Sequence, residues 1–168
     1  MKKNDPESKA PNERAACNQR GLKISARTRY GLRILLDIAA HDHDPTPRAM
    51  SQISQDQQIS VKFISRLVIP LRQAGLIRSV RGSTGGFRLA RSPEDITLLK
   101  VIETMQGPLS ILDCLTRKGT CPREANCLAR WVWEDVNTGF ANVLSRVTIR
   151  KILSRKPNSN SSIFDFCI

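Results

Sequence analysis

Three cysteines, Cys114, Cys121 and Cys127, are separated by six and five residues in a charged loop containing Gly119. Thiols at such spacing can close around one metal centre once deprotonated, and the interleaved Arg117, Lys118, Arg123 and Arg130 favour the thiolate. Structural zinc calls for a close pair such as C-x-x-C and four ligands, and neither is evident here. Iron–sulfur clusters need thiolates and tolerate wider spacing. Spacing alone therefore leaves a cluster, zinc and a redox switch open. The N-terminus lacks the apolar stretch of a signal peptide, and no apolar run approaches the roughly 18 residues of a membrane span. The chain is expected to be cytoplasmic, with no membrane partner. In that reducing setting its five cysteines point to metal, cluster or redox chemistry rather than to disulfides. Cys17 and Cys167, near the two ends, are expected not to ligate. His41 and His43 alternate with Asp42 and Asp44 and read as a solvated helix cap.

A second group of residues carries charge rather than nucleophiles. Over residues 60–91 there are seven basic side chains (Lys62, Arg66, Arg72, Arg78, Arg81, Arg88 and Arg91) and no acid. The whole chain has a net charge of +12 and a pI near 10.2. Uncompensated positive charge of this density suits a polyanion, with binding that weakens steeply as salt rises. Aromatic residues make up only 5% of the chain, too few for the stacking platforms that hold single strands, which favours duplex DNA. No nucleophile–base pairing, phosphate-cradling glycine loop or paired carboxylate stands out, so the chain does not read as an enzyme.

The elements that must position these groups follow from periodicity. Residues 1–21 are polar, mixed in charge and without period, and are expected to form a disordered extension. A first helix over 27–40 carries a stripe of Tyr30, Ile34, Leu35 and Ile38, and its first turn brings Arg27 and Arg29 within reach of phosphate. A short helix over 49–57 points Met50 and Ile53 inward. Ser60 caps a third helix with Phe63, Ile64, Leu67, Val68, Leu71 and Ala74 on one face, ended by Gly75. Pro70 inside it is expected to kink the helix or remove a bond. Runs at 76–80 and 87–89 flank Gly82, Gly85 and Gly86, whose freedom to adopt positive φ suits a hairpin loop. Thr97 caps a fourth helix over 98–105, closed by Gly107 and Pro108.

Helix, short helix, turn, helix and basic hairpin in that order make a winged helix-turn-helix over residues 22–107. Ser60, Val61, Lys62, Ser65 and Arg66 then lie at the end of the recognition helix that enters the major groove. The fold class is thus mainly α with a small β wing. The cysteine loop spans 108–127. Beyond it, Leu128, Trp131, Val132, Val136, Phe140, Val143, Leu144 and Val147 recur every three or four residues, a long helix in the region 128–155 whose stripe exceeds what one small domain can cover. A second copy of the chain is the natural cover, giving a homodimer; packing across the winged domain is the alternative. Residues 156–168 form a tail whose end, Ile163-Phe164-Asp165-Phe166-Cys167-Ile168, is apolar enough to dock.

The runs LKISARTRYGLR at 22–33, ISVKFI at 59–64 through LRQAGL at 71–76, and SVRG at 79–82 with GGFRLA at 85–90 resemble the bacterial BadM/Rrf-type transcriptional regulators over residues 22–155. The resemblance implies a dimeric winged-helix protein that binds a double-stranded operator. It also implies a 2Fe–2S or 4Fe–4S cluster on three cysteines placed as Cys114, Cys121 and Cys127 are, with Ser60, Lys62, Ser65 and Arg81 touching DNA. Two positions depart from relatives. Arg130 stands where IscR-like members have a histidine ligand, and Arg29 where NsrR-like members have an aspartate. A guanidinium stays protonated and does not ligate iron, so the fourth ligand falls to solvent, a small thiol or a carboxylate such as Asp113 or Glu124. The expected function is a DNA-binding regulator, acting as a repressor, that senses iron, redox state or nitric oxide through the cluster. The rival classes are a cluster-free or zinc-stabilised regulator and an iron–sulfur carrier whose basic face binds a protein.

Overall fold

The computed structural model describes residues 24–82 and 84–155. The expectations for the N-terminal extension, Cys17, the tail and Cys167 lie outside them. Six helices and one hairpin are present among the described residues: α1 (Ala26–Ala40), α2 (Met50–Gln57), α3 (Val61–Gln73), β1 (Ile77–Val80), β2 (Gly86–Leu89), α4 (Leu98–Gln106), α5 (Arg130–Ser145) and α6 (Ile149–Ser154). This is the mainly helical architecture with a two-stranded wing that the sequence predicts.

The caps fall where side-chain chemistry puts them. Ser25 accepts from the Thr28 amide, Ser60 from that of Phe63 and Thr97 from that of Lys100, each satisfying an amide that the first turn leaves without a partner. α3 ends on Gly75 at φ +65°, where the Leu76 amide reaches back to the Leu71 carbonyl at 3.0 Å in a Schellman-type stop. Pro70 sits inside α3 without ending it. Its carbonyl still accepts from Ala74 at 3.0 Å, so the loss is confined to the amide that proline lacks.

Ile34, Leu35, Ile53, Ile64, Leu67, Leu71, Leu76, Ile77 and Val101 are buried in one apolar core shared by α1 to α4 and the wing. The wing pairs Ile77 with Leu89 and Val80 with Gly86 in antiparallel register. It is also tied to the chain before α2, because Arg48 and Phe87 exchange backbone hydrogen bonds at 3.0 and 2.9 Å. The glycines work differently from the expectation. Gly82 has a positive φ, but Gly86 is required by proximity: a Cβ there would lie 2.4 Å from the Arg48 carbonyl oxygen.

The region after the cysteine loop is not one helix. α5 stops at Ser145, Thr148 forms a bridge with Thr97, and α6 turns back so that Ile149 is fully buried in the winged domain's core. The Ile149 amide donates to the Ile96 carbonyl at 2.9 Å and the Leu98 amide to that of Val147 at 2.7 Å. α6, beyond residue 107, thus packs against the same core as α1 to α4. What remains of the predicted stripe is α5, none of whose residues is buried.

Candidate nucleic-acid interface and cysteine loop

The first turn of α3 projects from the domain. Val61, Lys62 and Arg66 are exposed, while Ile64, Leu67, Val68 and Leu71 hold the opposite face in the core. Phe63 meets Tyr30 of α1 edge-on at 5.5 Å, which fixes the rotation of α3 about its axis. Two of the predicted contacts are already engaged: the Ser60 hydroxyl caps the helix, and the Ser65 hydroxyl donates to the Lys62 carbonyl at 2.9 Å. Lys62 and Arg66 thus carry the free polar chemistry of this turn.

On the wing, Arg78 and Arg81 are exposed. Among the described residues no ion pair involves Lys62, Arg66, Arg78 or Arg81. Arg88 belongs to the same basic run but is spent internally, donating to the carbonyls of Asp42, Asp44 and Pro45 at 2.9, 2.7 and 2.7 Å. These bonds strap the loop after α1 onto β2. His41 closes α1 with Nδ1 at 2.8 Å from the Asp37 carbonyl, the cap role predicted for it.

A buried network that the sequence reading missed aligns the reading elements. Asp37, 2% exposed, accepts from Arg48 Nε at 2.7 Å and from Gln57 Nε2 at 2.9 Å; Arg48 also pairs with Asp56. Arg33 donates to the Gln57 carbonyl at 2.6 Å. One carboxylate of α1 thereby joins α2 to the segment at Arg48, whose backbone pairs with Phe87 of the wing, so α1, α2 and the wing hold their relative positions through charge-assisted bonds. A partner eleven positions away leaves no local signal in sequence.

Arg27 and Arg29 separate. Arg27 is exposed at the start of α1. Arg29 turns inward, with its Nε buried and without a hydrogen-bond partner among the described residues, lining a cavity between α1, α4 and α5. The residue as a whole is half-exposed.

The cysteine loop runs from α4 to α5. Cys114 sits in the short turn Asp113–Leu115, and Cys121 and Cys127 bracket the turn Glu124–Asn126. Cys114 and Cys121 are half-buried, Cys127 is exposed, and all three thiols are free. Asn137 of α5 anchors the loop's start, accepting from the Ile111 amide at 3.1 Å. Glu124 accepts from the Gly119 amide at 2.6 Å and from Arg130 at 3.2 Å. The Gly119 amide first, then Arg130, hold its carboxyl below the usual range. Arg130 also bonds Glu134 at 2.7 Å, which, with Glu124, pushes its pKa up. Arg130 is thus held between two carboxylates. Glu124, named above as a possible ligand, is occupied by these bonds. The donor set suits an iron–sulfur group by its chemistry, three thiols on one anchored loop. Among the described residues, no three Cys, His, Asp or Glu side chains are gathered to hold a metal ion.

Comparison with known proteins matches residues 24–155 to the Rrf2 family profile, described as an iron-dependent transcriptional regulator. The chain is 36% identical over 132 residues to protein rrf2 of Nitratidesulfovibrio vulgaris, covering 79% of this chain and 87% of that one. It is 30% identical to the regulator IscR of Vibrio parahaemolyticus, over 79% of this chain and 78% of the other. Among solved structures, the global cysteine regulator CymR of B. subtilis superposes with a TM-score of 0.65 at 32% identity, covering 81% of this chain and 99% of CymR. T. potens IscR gives 0.62 at 32% identity, over 79% and 87%.

Proposed function

This chain belongs to the Rrf2 family of transcriptional regulators, and on that premise we propose that α3 and the wing read a double-stranded operator through Lys62, Arg66 and Arg81, with Arg27 on the backbone. DNA-binding regulation, not catalysis, is the family's activity. The observation that supports this residue assignment is the set of exposed, unpaired cations on the first turn of α3 and on the wing, carried by elements that the Asp37 network and the Tyr30–Phe63 contact hold in fixed register. Lys62 on the helix is suited to base edges in the major groove, and Arg81 on the wing to phosphate. Ser60 and Ser65 contribute through the helix terminus, since their hydroxyls are engaged by backbone. The test is fluorescence anisotropy on a duplex selected by the protein from a random pool. Lys62→Ala and Arg81→Ala should both weaken binding, and unchanged affinity in both would remove the assignment.

The proposed signal input is the cysteine loop. Cys114, Cys121 and Cys127 would hold an iron–sulfur cluster, 2Fe–2S or 4Fe–4S, which when bound would supply reactivity toward iron supply, oxygen or nitric oxide. The family's description as iron-dependent supports this reading. The loop is fastened to α5 through Asn137 and Arg130, and α5 returns through Thr148 and α6 to the winged domain, so a change in the loop has a continuous route to the reading head. Acting as a repressor would require only that this route alter operator affinity. The likeness to CymR, described as the global cysteine regulator, favours a second reading in which the regulator works without a cluster; iron and sulfide analysis of anaerobically purified protein separates the two.

The proposed assembly is a homodimer through α5. Val132, Trp133, Val136, Phe140 and Val143 are all exposed along one side of it, an apolar face of the kind that marks an interface, with Trp131 and, just before the helix, Leu128 also exposed.

A further inference from the structure

The turn that leads into α3 holds a side chain in a conformation that side chains rarely adopt. Gln58, between α2 and α3, has φ +53° and ψ +43°, and among the described residues it is the only one other than glycine with a positive φ. Left-handed backbone crowds a Cβ against the following carbonyl, so such turns favour glycine or asparagine. The neighbours impose this shape. The Ile59 amide donates to the Ser54 carbonyl at 3.1 Å, the Ser54 hydroxyl donates to the Ile59 carbonyl at 2.6 Å, and Ile59 is buried. The Gln58 side chain takes no part. It is exposed, and its amide has no hydrogen bond among the described residues, whereas Gln52 accepts from the Ala49 amide and Gln57 donates to Asp37. Strain kept at a residue whose side chain gives the fold nothing directs attention to what that side chain meets outside it.

Val61 is the second oddity of this corner. It opens α3 directly after the Ser60 cap and is 48% exposed, an apolar group set between a hydroxyl and the cation of Lys62. A β-branched side chain adds nothing to helix propensity there. We propose that Gln58 and Val61 determine specificity for A·T pairs where α3 enters the groove, the Gln58 carboxamide meeting an adenine and the Val61 methyls a thymine. This goes beyond the operator reading given above and rests on it. In the major groove adenine offers N7 as an acceptor beside its amino group as a donor, and thymine carries a methyl group. A carboxamide holds one donor and one acceptor in a plane and satisfies both adenine groups at once. Lys62, with donors only, does not, and is suited to guanine. Because Ser54 and Ile59 fix the turn, the amide is carried on backbone that has little left to order on binding.

The test uses the full chain and the duplex that it selects from a random pool, with 7-deazaadenine replacing each adenine in turn and uracil each thymine. The first change removes N7 and the second the methyl group, and neither alters base pairing. For the wild-type chain one adenine replacement should weaken binding by about tenfold, and one uracil replacement by about threefold, the worth of a buried methyl group. Gln58→Gly should bind the selected duplex as weakly as the wild type binds the 7-deaza duplex and be indifferent to that replacement. Val61→Ala should behave in the same way toward uracil. Gln58→Gly should also raise the urea midpoint, because glycine relieves the left-handed backbone. If either variant keeps wild-type affinity, or still responds to its own base replacement as the wild type does, the proposal is overturned. The operator reading then stands if Lys62→Ala and Arg81→Ala weaken binding, and falls with it if they do not. A lowered urea midpoint with unchanged base preference in Gln58→Gly assigns the side chain to the turn and equally overturns its reading role.

Discussion

Lys62 and Arg81 sit on different elements and should fail differently when removed. Lys62→Ala should cost about 1–3 kcal/mol at the operator and relax preference at one base position, whereas Arg81→Ala should weaken all duplexes alike and lower the salt slope by about one unit. Anisotropy titrations at three salt concentrations on selected and scrambled duplexes distinguish these outcomes. Arg88→Ala should behave as neither. Its guanidinium binds three carbonyls of the loop after α1, so its loss should lower unfolding free energy by about 2–4 kcal/mol in urea, at roughly 1.5–3 kcal/mol per charged hydrogen bond with part of that recovered by water, and leave the salt slope of the folded protein unchanged. The basic run over 60–91 was legible as a polyanion surface. Which of its members face solvent was not, because Arg88 finds its carbonyls 43 to 46 positions earlier.

At the scale of elements, α3 and the wing were readable because their signals are local: a serine cap, an apolar stripe with helical period and a glycine stop fix α3, and paired β-prone runs around glycines fix the hairpin. The end of α5 was not. The apolar period runs on through Val147 with no proline or glycine between Phe140 and Thr148 to break it, and what stops the helix is a tertiary event, the pairing of Thr148 with Thr97 and the burial of Ile149. Gly86 was read as a turn residue for the same reason: the backbone that crowds it, at Arg48, is distant in sequence. Gly86→Ala should therefore damage the wing more than Gly82→Ala. The added methyl meets the Arg48 carbonyl oxygen at 2.4 Å, and relieving that overlap should cost about 1–3 kcal/mol, read as a lowered urea midpoint with weakened operator binding. At Gly82 nothing lies within 4 Å of the added methyl, and the penalty is limited to its positive φ. Equal midpoints for the two variants would contradict the three-way junction of wing, Arg48 and α2.

For the whole molecule, the exposed face of α5 and the loop that feeds it would connect the proposed assembly to the proposed sensing. Charged residues at Phe140 and Val143 together should split the dimer on a sizing column. They should also abolish specific binding while weak non-specific binding persists, because a palindromic operator needs two reading heads about one helical turn apart. Replacing Cys114, Cys121 or Cys127 singly should remove iron, sulfide and visible absorption from anaerobically prepared protein, since two thiolates leave an exposed, hydrolysable edge. The three cysteines stand out by spacing and resemblance as the proposed site; the Glu124 bonds that close the loop were not legible, because they depend on the Gly119 backbone as well as on Arg130. The central claim, that the cysteine loop governs operator affinity, is tested most directly by the anaerobic dissociation constant on the selected duplex for iron- and sulfide-loaded protein against the same protein after chelator treatment. A change of tenfold or more, abolished in Cys114→Ala, is the predicted result; identical affinities for a coloured loaded protein and its chelated form would contradict it.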